Sequence, residues 1–190
     1  KLNQRMSQFS DYTITNNTIG YTSNANTGTY TINAGSGDAS QFMGIWLSGL
    51  SSTGISTISG NTITSISFQS SSTNQLDNGN YEGVMCGIML GLQGNTTQDG
   101  NVTISNNLIG SIISTANILY TSESGNAGEF VGIYTAVNGS VGISGNSISG
   151  ISTQGSVAAD VGLFTGIRAY GAAAAITIEN CLVGSTVTAN

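Results

Sequence analysis

A chain of 190 residues with 38% apolar content can bury a core of its own, which separates it from disordered sequences. Only 6% of its residues are charged, three of them cations, for a net charge of −6. This balance excludes a basic footprint for nucleic acid or an anionic membrane surface, and no apolar run of about 18 residues is present to enter a bilayer.

Residues 1–12, which carry Leu2, Met6 and Phe9, read as an N-terminal cap or linker, and residues 13–190 as a repeating array. The first predicted strand is ITNNTI at Ile14–Ile19, and a second type follows as FMGIWL at Phe42–Leu47. The two types then alternate: ISGNTI at Ile58–Ile63, MCGIML at Met85–Leu90, ISNNLI at Ile104–Ile109 and FVGIYT at Phe130–Thr135. ISGNSI at Ile143–Ile148, FTGIRA at Phe164–Ala169 and IENCLV at Ile178–Val183 complete the series. The Ile-led motifs start 44, 46, 39 and 35 residues apart. Both types are rich in β-branched and aromatic residues, Gly, Asn and Ser punctuate them, and Pro is absent. Two β-type motifs in fixed order, joined by a short arc and a long arc, describe one turn of a coil. The predicted fold is all-β: a right-handed parallel β-helix of about four to five enlarged coils, one per repeat, with two coils per repeat as the alternative.

Strand alternation sorts the side chains. Ile14, Ile58, Ile104, Ile143 and Ile178 form one inward column, and Ile19, Ile63, Ile109, Ile148 and Val183 another. Between them Asn17, Asn61, Asn107 and Asn146 form a ladder whose amides bond along the stack, beside an αL corner at residues 16, 60, 106 and 145. Cys181 breaks the ladder, and Asn180 sits one place early, which marks an ending or a register shift. The outward neighbours, Thr13/Thr15, Thr57/Ser59, Thr103/Ser105, Gly142/Ser144 and Thr177/Glu179, make a hydroxyl stripe. It reads either as β-propensity on a solvated face or as an array that binds ice or crystalline polysaccharide.

In the second motif, with Ile45, Ile88, Ile133 and Ile167 inward, Phe42, Met85, Phe130 and Phe164 are expected to point outward, together with Trp46, Met89, Tyr134 and Arg168. A Gly column, Gly44, Gly87, Gly132 and Gly166, runs between them. A strand apolar on both faces is buried on both faces. Its cover is a folded-back long arc, a lateral partner, or a glycan stacked on Trp46 and Tyr134. These eight residues are the candidate binding or interface positions.

The chain has no His, which removes Ser–His and Cys–His nucleophile activation. The acids Asp38, Asp77, Glu82, Glu123, Glu129 and Asp160 fall in the long arcs of unequal length, and Arg168 is the one interior cation. They suit solubility better than the fixed pair a glycosidase needs. No catalytic residues and no cofactor are expected; calcium on Asp77–Asn80 or Asp99–Asn101 is the remaining metal reading, though neither segment matches an EF-hand. Cys86 and Cys181 fall in different motifs and read as two small buried hydrophobes or, alternatively, as a disulfide.

The ISNNxIG and Gly-Ile-aromatic motifs resemble the right-handed parallel β-helix repeats of pectate-lyase-like proteins. The Ser/Thr/Asn-rich wording is similar to repetitive, adhesin-like secreted proteins of the Bacteroidota. The resemblance implies a non-enzymatic, extracellular structural or adhesive segment of a longer surface protein or fibre. Its alternative is a carbohydrate-binding or carbohydrate-active β-helix, in which acids act with calcium and a basic residue. The expected partners are further copies, end to end or laterally, and surface glycans. A solenoid end without a polar cap is an open edge that favours stacking or continuation.

Overall fold

The computed structural model describes residues 11–34, 40–72, 84–91, 99–113, 117–123, 128–155, 162–170 and 175–184. All regular structure among them is strand. The first repeat supplies β1 (Thr13–Thr15), β2 (Thr18–Gly20), β3 (Tyr30–Asn33) and β4 (Phe42–Leu47). The second supplies β5 (Ile55–Ser59), β6 (Thr62–Thr64), β7 (Ile66–Ser70) and β8 (Met85–Leu90). The third supplies β9 (Asn101–Ser105), β10 (Leu108–Gly110), β11 (Ile118–Ser122) and β12 (Glu129–Ala136). The fourth supplies β13 (Ser140–Ser144), β14 (Ser147–Ser149), β15 (Ile151–Gly155) and β16 (Leu163–Tyr170), and the fifth β17 (Ala175–Glu179) and β18 (Leu182–Val183).

Four parallel sheets result, in the orders β1-β5-β9-β13-β17, β2-β6-β10-β14-β18, β3-β7-β11-β15 and β4-β8-β12-β16. Each of the first four repeats therefore enters every sheet once and the fifth enters the first two, so a repeat is one coil and not two. This arrangement is compatible with a parallel β-helix. Both Ile columns of the first motif are in register: Ile14 pairs with Ile58, Ile104 with Ile143, and Ile143 with Ile178. Ile19, Ile63, Ile109, Ile148 and Val183 align likewise. Tyr12 already joins the array, accepting from Thr57 N–H at 2.7 Å. The rest of the expected cap, residues 1–10, lies outside the described residues.

The third sheet is hidden inside what reads in sequence as a long arc. Its strands alternate like the others, with Ile66, Ile118 and Ile151 in one column and Ile32, Phe68, Tyr120 and Thr153 in the next. Phe68 stacks on Tyr120 at 6.2 Å between ring centroids, and Phe42 closes on Phe68 at 6.1 Å.

Two corners bound the second sheet. At the first, Asn16, Gly60, Asn106, Gly145 and Asn180 all have positive φ, between 53° and 65°. Asn180 is thus the fifth corner residue and not a displaced ladder residue, and the register does not shift there: Glu179 still pairs with Ser144 and Leu182 with Ser147. Asn and Gly alternate because the Asn16 and Asn106 side chains lie where a Cβ on Gly60 or Gly145 would be. The second corner alternates too, as Gly20, Thr64, Gly110, Ser149 and Gly184. At Gly20, φ is 119° and a Cβ would overlap Thr64 O, a conformation and an approach that only Gly allows.

The second motif departs from strict alternation. The ladder pairs Met43 with Cys86 and Ile45 with Ile88, while a Cβ on Gly44 would lie 2.6 Å from Gly87 O and 2.8 Å from Ile63 Cδ1. The Gly and the Ile after it both lean inward, so the in–out pattern slips by one at each Gly, as at a β-bulge. Counting back from Ile45 by twos therefore misplaces the aromatic column. Phe42, Met85 and Phe130 belong to the interior core and not to the outer face, and Phe164 stacks on Phe130 at 5.8 Å. Trp46, Met89 and Tyr134 do face outward, in a second apolar cluster with Met43, Cys86, Val131, Ala136 and Tyr170.

Candidate functional site

Strand order places the eight candidate residues in two columns of the fourth sheet. The inner column is Phe42–Met85–Phe130–Phe164, and the outer is Trp46–Met89–Tyr134–Arg168. Met85, Phe130, Met89 and Tyr134 are fully buried within this one chain, so the middle of the sheet is apolar on both faces because both are covered. A lateral partner or a stacked glycan therefore has no access to the central strands. Phe42 and Trp46 lie on the first coil, and Phe164 and Arg168 on the fourth, so accessible members occur only where the sheet has an edge.

At the first-coil edge a groove of about 460 Å³ is lined by Thr13, Ile14, Asn17, Thr18, Met43 and Trp46 among others. The Trp46 ring is fixed by its Nε1–H, which donates to Gly91 O at 2.9 Å. At the other edge Leu163, Phe164, Ile176, Ile178, Leu182 and Val183 are each between 43% and 49% exposed. Most of the exposed large hydrophobic side chains among the described residues lie there.

The ladder Asn residues are structural. Asn17 Nδ2 donates to Asn61 Oδ1 at 2.9 Å, Asn61 Nδ2 to Asn107 Oδ1 at 3.0 Å, and Asn107 Nδ2 to Asn146 Oδ1 at 2.9 Å. Each of these Oδ1 atoms also accepts the backbone N–H of the preceding Asn. The second Nδ2 proton goes back one coil, from Asn61 to Ile14 O, from Asn107 to Ile58 O and from Asn146 to Ile104 O. An Asn amide has two donors and two acceptor sites, and within the stack all four are used. At the fifth coil the acceptor is Cys181 Sγ at 3.9 Å, a weaker partner.

The hydroxyl columns are also in register: Thr13, Thr57, Thr103, Gly142 and Thr177 in one, Thr15, Ser59, Ser105, Ser144 and Glu179 in the next. Of the acids expected in the long arcs, Asp38, Asp77, Glu82 and Asp160 lie outside the described residues. Glu129 is buried and accepts from Thr165 Oγ1, and Glu123 accepts from Gln69 Nε2. Glu129 aligns with Leu163, five positions before Arg168 on β16, so at about 3.3 Å per residue these two charges stand far apart. Asn101, in the Asp99–Asn101 segment, spends its side chain on Ser52 O, Gly54 O and the Ser140 N–H. The Asp77–Asn80 segment lies outside the described residues, among which no group of three or more His, Cys, Asp and Glu converges. Cys86 and Cys181 are both free thiols, the first in the outer cluster and the second in the ladder.

Comparison with protein-family models, with curated proteins and with solved structures returned no match to the chain.

Proposed function

We propose that the chain is a scaffold: a right-handed parallel β-helix that serves as a non-enzymatic structural or adhesive segment outside the cell, within a longer surface protein or fibre. One observation carries this reading. Buried polar side chains hold coil to coil along the Asn61–Asn107–Asn146 ladder, and Thr64 Oγ1 donates to Gly110 O at 3.0 Å beside it. A scaffold of this kind needs length, stiffness and solubility, which stacked sheets and a low-charge hydroxyl surface supply. Incubation with a panel of acidic and neutral polysaccharides tests it. No new reducing ends or unsaturated uronates are expected, and catalytic turnover of any member overturns the reading.

A second reading is carbohydrate binding in the first-coil groove, favoured by Trp46 flanked by Thr13, Asn17 and Thr18. Glycan-array binding lost in Trp46→Ala supports it, and a blank array removes it.

A further inference from the structure

The two corners of the second sheet repeat every two coils and not every coil. At the first corner, Asn16, Asn106 and Asn180 of the odd-numbered coils alternate with Gly60 and Gly145 of the even ones. Each odd-coil Asn side chain lies over the Gly of the even coil after it, Asn16 on Gly60 and Asn106 on Gly145. At the second corner, Gly20 and Gly110 of the odd coils press on Thr64 O and Ser149 O of the even coils, too close for any Cβ.

Chain length alternates with them. In the odd coils, residues 21–29 separate β2 from β3, and residues 111–117 separate β10 from β11. In the even coils a single residue makes the connection, Ser65 between β6 and β7 and Gly150 between β14 and β15. Both have positive φ, 51° and 63°. Each long connection is tied to the short one after it: Tyr30 N–H donates to Ser65 O at 2.8 Å, and Ile118 N–H to Gly150 O at 3.1 Å. Asn117 reaches the other way and joins one pair of coils to the pair before it. Its Oδ1 accepts the Ser65 N–H at 2.7 Å, and its Nδ2 donates to Ser65 Oγ at 3.3 Å.

We propose that the structural unit of this scaffold is a pair of coils, an odd one with a long connection and an even one with a one-residue corner, and that the array extends by whole pairs. Two odd coils in succession would set one corner Asn against the Cβ of the next. They would also crowd two long connections within one strand spacing, roughly 4.8 Å. Two even coils in succession would leave the Ser65 N–H without the amide that accepts it. The pair also fixes what the scaffold shows: one long connection for every two coils, along one edge, roughly 9.6 Å apart. Residues 22–29 are all exposed, held by bonds from Thr22 N–H to Thr27 O and from Asn26 N–H to Ser23 O, both at 3.1 Å. In the third coil, Ile112 and Ile113 of the equivalent connection are 57% and 85% exposed. The two connections share no sequence, YTSNANTGT against SIISTAN, and variable connections on a rigid frame are where contact residues are carried. This inference rests on the solenoid reading of the fold, and deepens the scaffold proposal by naming its unit of length.

Two enlarged chains test it. One carries a second copy of residues 106–144, a single odd coil, after Ser144. The other carries a second copy of residues 60–144, an even and an odd coil, at the same point. Urea unfolding followed by circular dichroism reads both. The pair insertion is expected to unfold at or above the parent midpoint, as an added repeat in a consistent array should. The single insertion is expected to fall at least about 0.5 M below the pair insertion. A single insertion as stable as the pair, or a pair insertion that does not fold, overturns the proposal. Point variants of the full chain give a second measurement. Gly60→Ala is expected to lower the midpoint; Asn16→Gly, which removes the side chain over it, should recover at least about half of that loss, and Asn106→Gly none. Equal losses in all three backgrounds also overturn the proposal. Either failure removes the pairing alone, because the scaffold reading stands or falls on the polysaccharide panel.

Discussion

Asn61 and Asn107 are joined by two hydrogen bonds to one atom: Asn107 Oδ1 accepts the Asn61 backbone N–H at 2.9 Å and the Asn61 Nδ2–H at 3.0 Å. Both residues are buried, so no water replaces either donor. Asn107→Ala orphans these two donors and removes the donor to Ile58 O. Unmet buried polar groups cost on the order of 1–3 kcal/mol each before relaxation, so a loss of about 2–4 kcal/mol is expected. Urea unfolding should show a lower midpoint with an unchanged slope.

The same geometry runs out at Cys181, where the Asn146 amide meets a sulfur at 3.9 Å. Cys181→Asn puts an amide oxygen where Asn146 can reach it and an Nδ2 where Cys181 Sγ now faces Ile143 O. A gain of about 1 kcal/mol is expected, the net worth of an ordinary hydrogen bond. Thermal unfolding should register it as a higher midpoint.

The Gly column of the second motif is a packing requirement. A Cβ on Gly87 would lie 2.6 Å from Gly132 O and 2.8 Å from Ile109 Cδ1, with backbone on one side and a buried side chain on the other. Gly87→Ala is expected to cost about 3 kcal/mol or more, through overpacking with no room to relax. Gly142 is the control, because its Cβ would meet nothing closer than Val102 O at 3.9 Å. Gly142→Thr, which completes the hydroxyl column, should change stability by no more than about 0.5 kcal/mol in either direction.

Gly20 and Gly184 separate strain from contact. Both have positive φ, 119° and 99°, but a Cβ on Gly20 would overlap Thr64 O, whereas one on Gly184 would meet nothing within 4 Å. Gly184→Ala is expected to cost about 1–2 kcal/mol of backbone strain alone. Gly20→Ala should cost clearly more, and equal losses in paired denaturant titrations would remove the contact from the explanation.

Burial pushes the Tyr120 phenol above its ordinary 10.0, against a smaller opposing effect of the nearby Ser122 side chain. The folded state therefore holds its proton more tightly than the unfolded chain does. The contribution to stability is complete below about pH 10 and is lost as pH rises from the unfolded value through the folded one. Tyr120→Phe should leave stability at pH 7 within about 1 kcal/mol of the parent and flatten the fall above pH 10. Denaturation midpoints across pH 8–11, bracketing the ordinary tyrosine value, check both parts.

The sequence shows some of these features openly and hides others. The Ile columns, the Asn ladder and the αL corner were legible because each needs a particular residue type at a fixed offset, and five repeats make the offset visible. The strands from Tyr30–Asn33 to Ile151–Gly155 were not, since Tyr30-x-Ile32, Ile66-x-Phe68, Ile118-x-Tyr120 and Ile151-x-Thr153 share a pattern but no common residue. The outward placing of Phe42, Met85, Phe130 and Phe164 failed for a different reason. Strict alternation holds only in a regular strand, and each Gly of this motif lets the next Ile lean to the same side. Of the interface candidates, Trp46, Met89 and Tyr134 were oriented correctly, yet Met89 and Tyr134 are sealed inside the chain.

By itself, then, the order of residues determined that the chain is all-β, that its strands recur in a fixed order, and which side chains form the first two sheets. These follow from local chemistry: β-branched residues alternate, and Asn and Gly take up positive φ. Tertiary structure alone decided that four sheets exist, that the aromatic column is core, and that Met89 and Tyr134 of the outer column are sealed in the middle of the stack. Burial is a property of what lies against a residue, and in the middle of a stack that includes the next coil, as far as 52 residues away in sequence for Ile66 and Ile118.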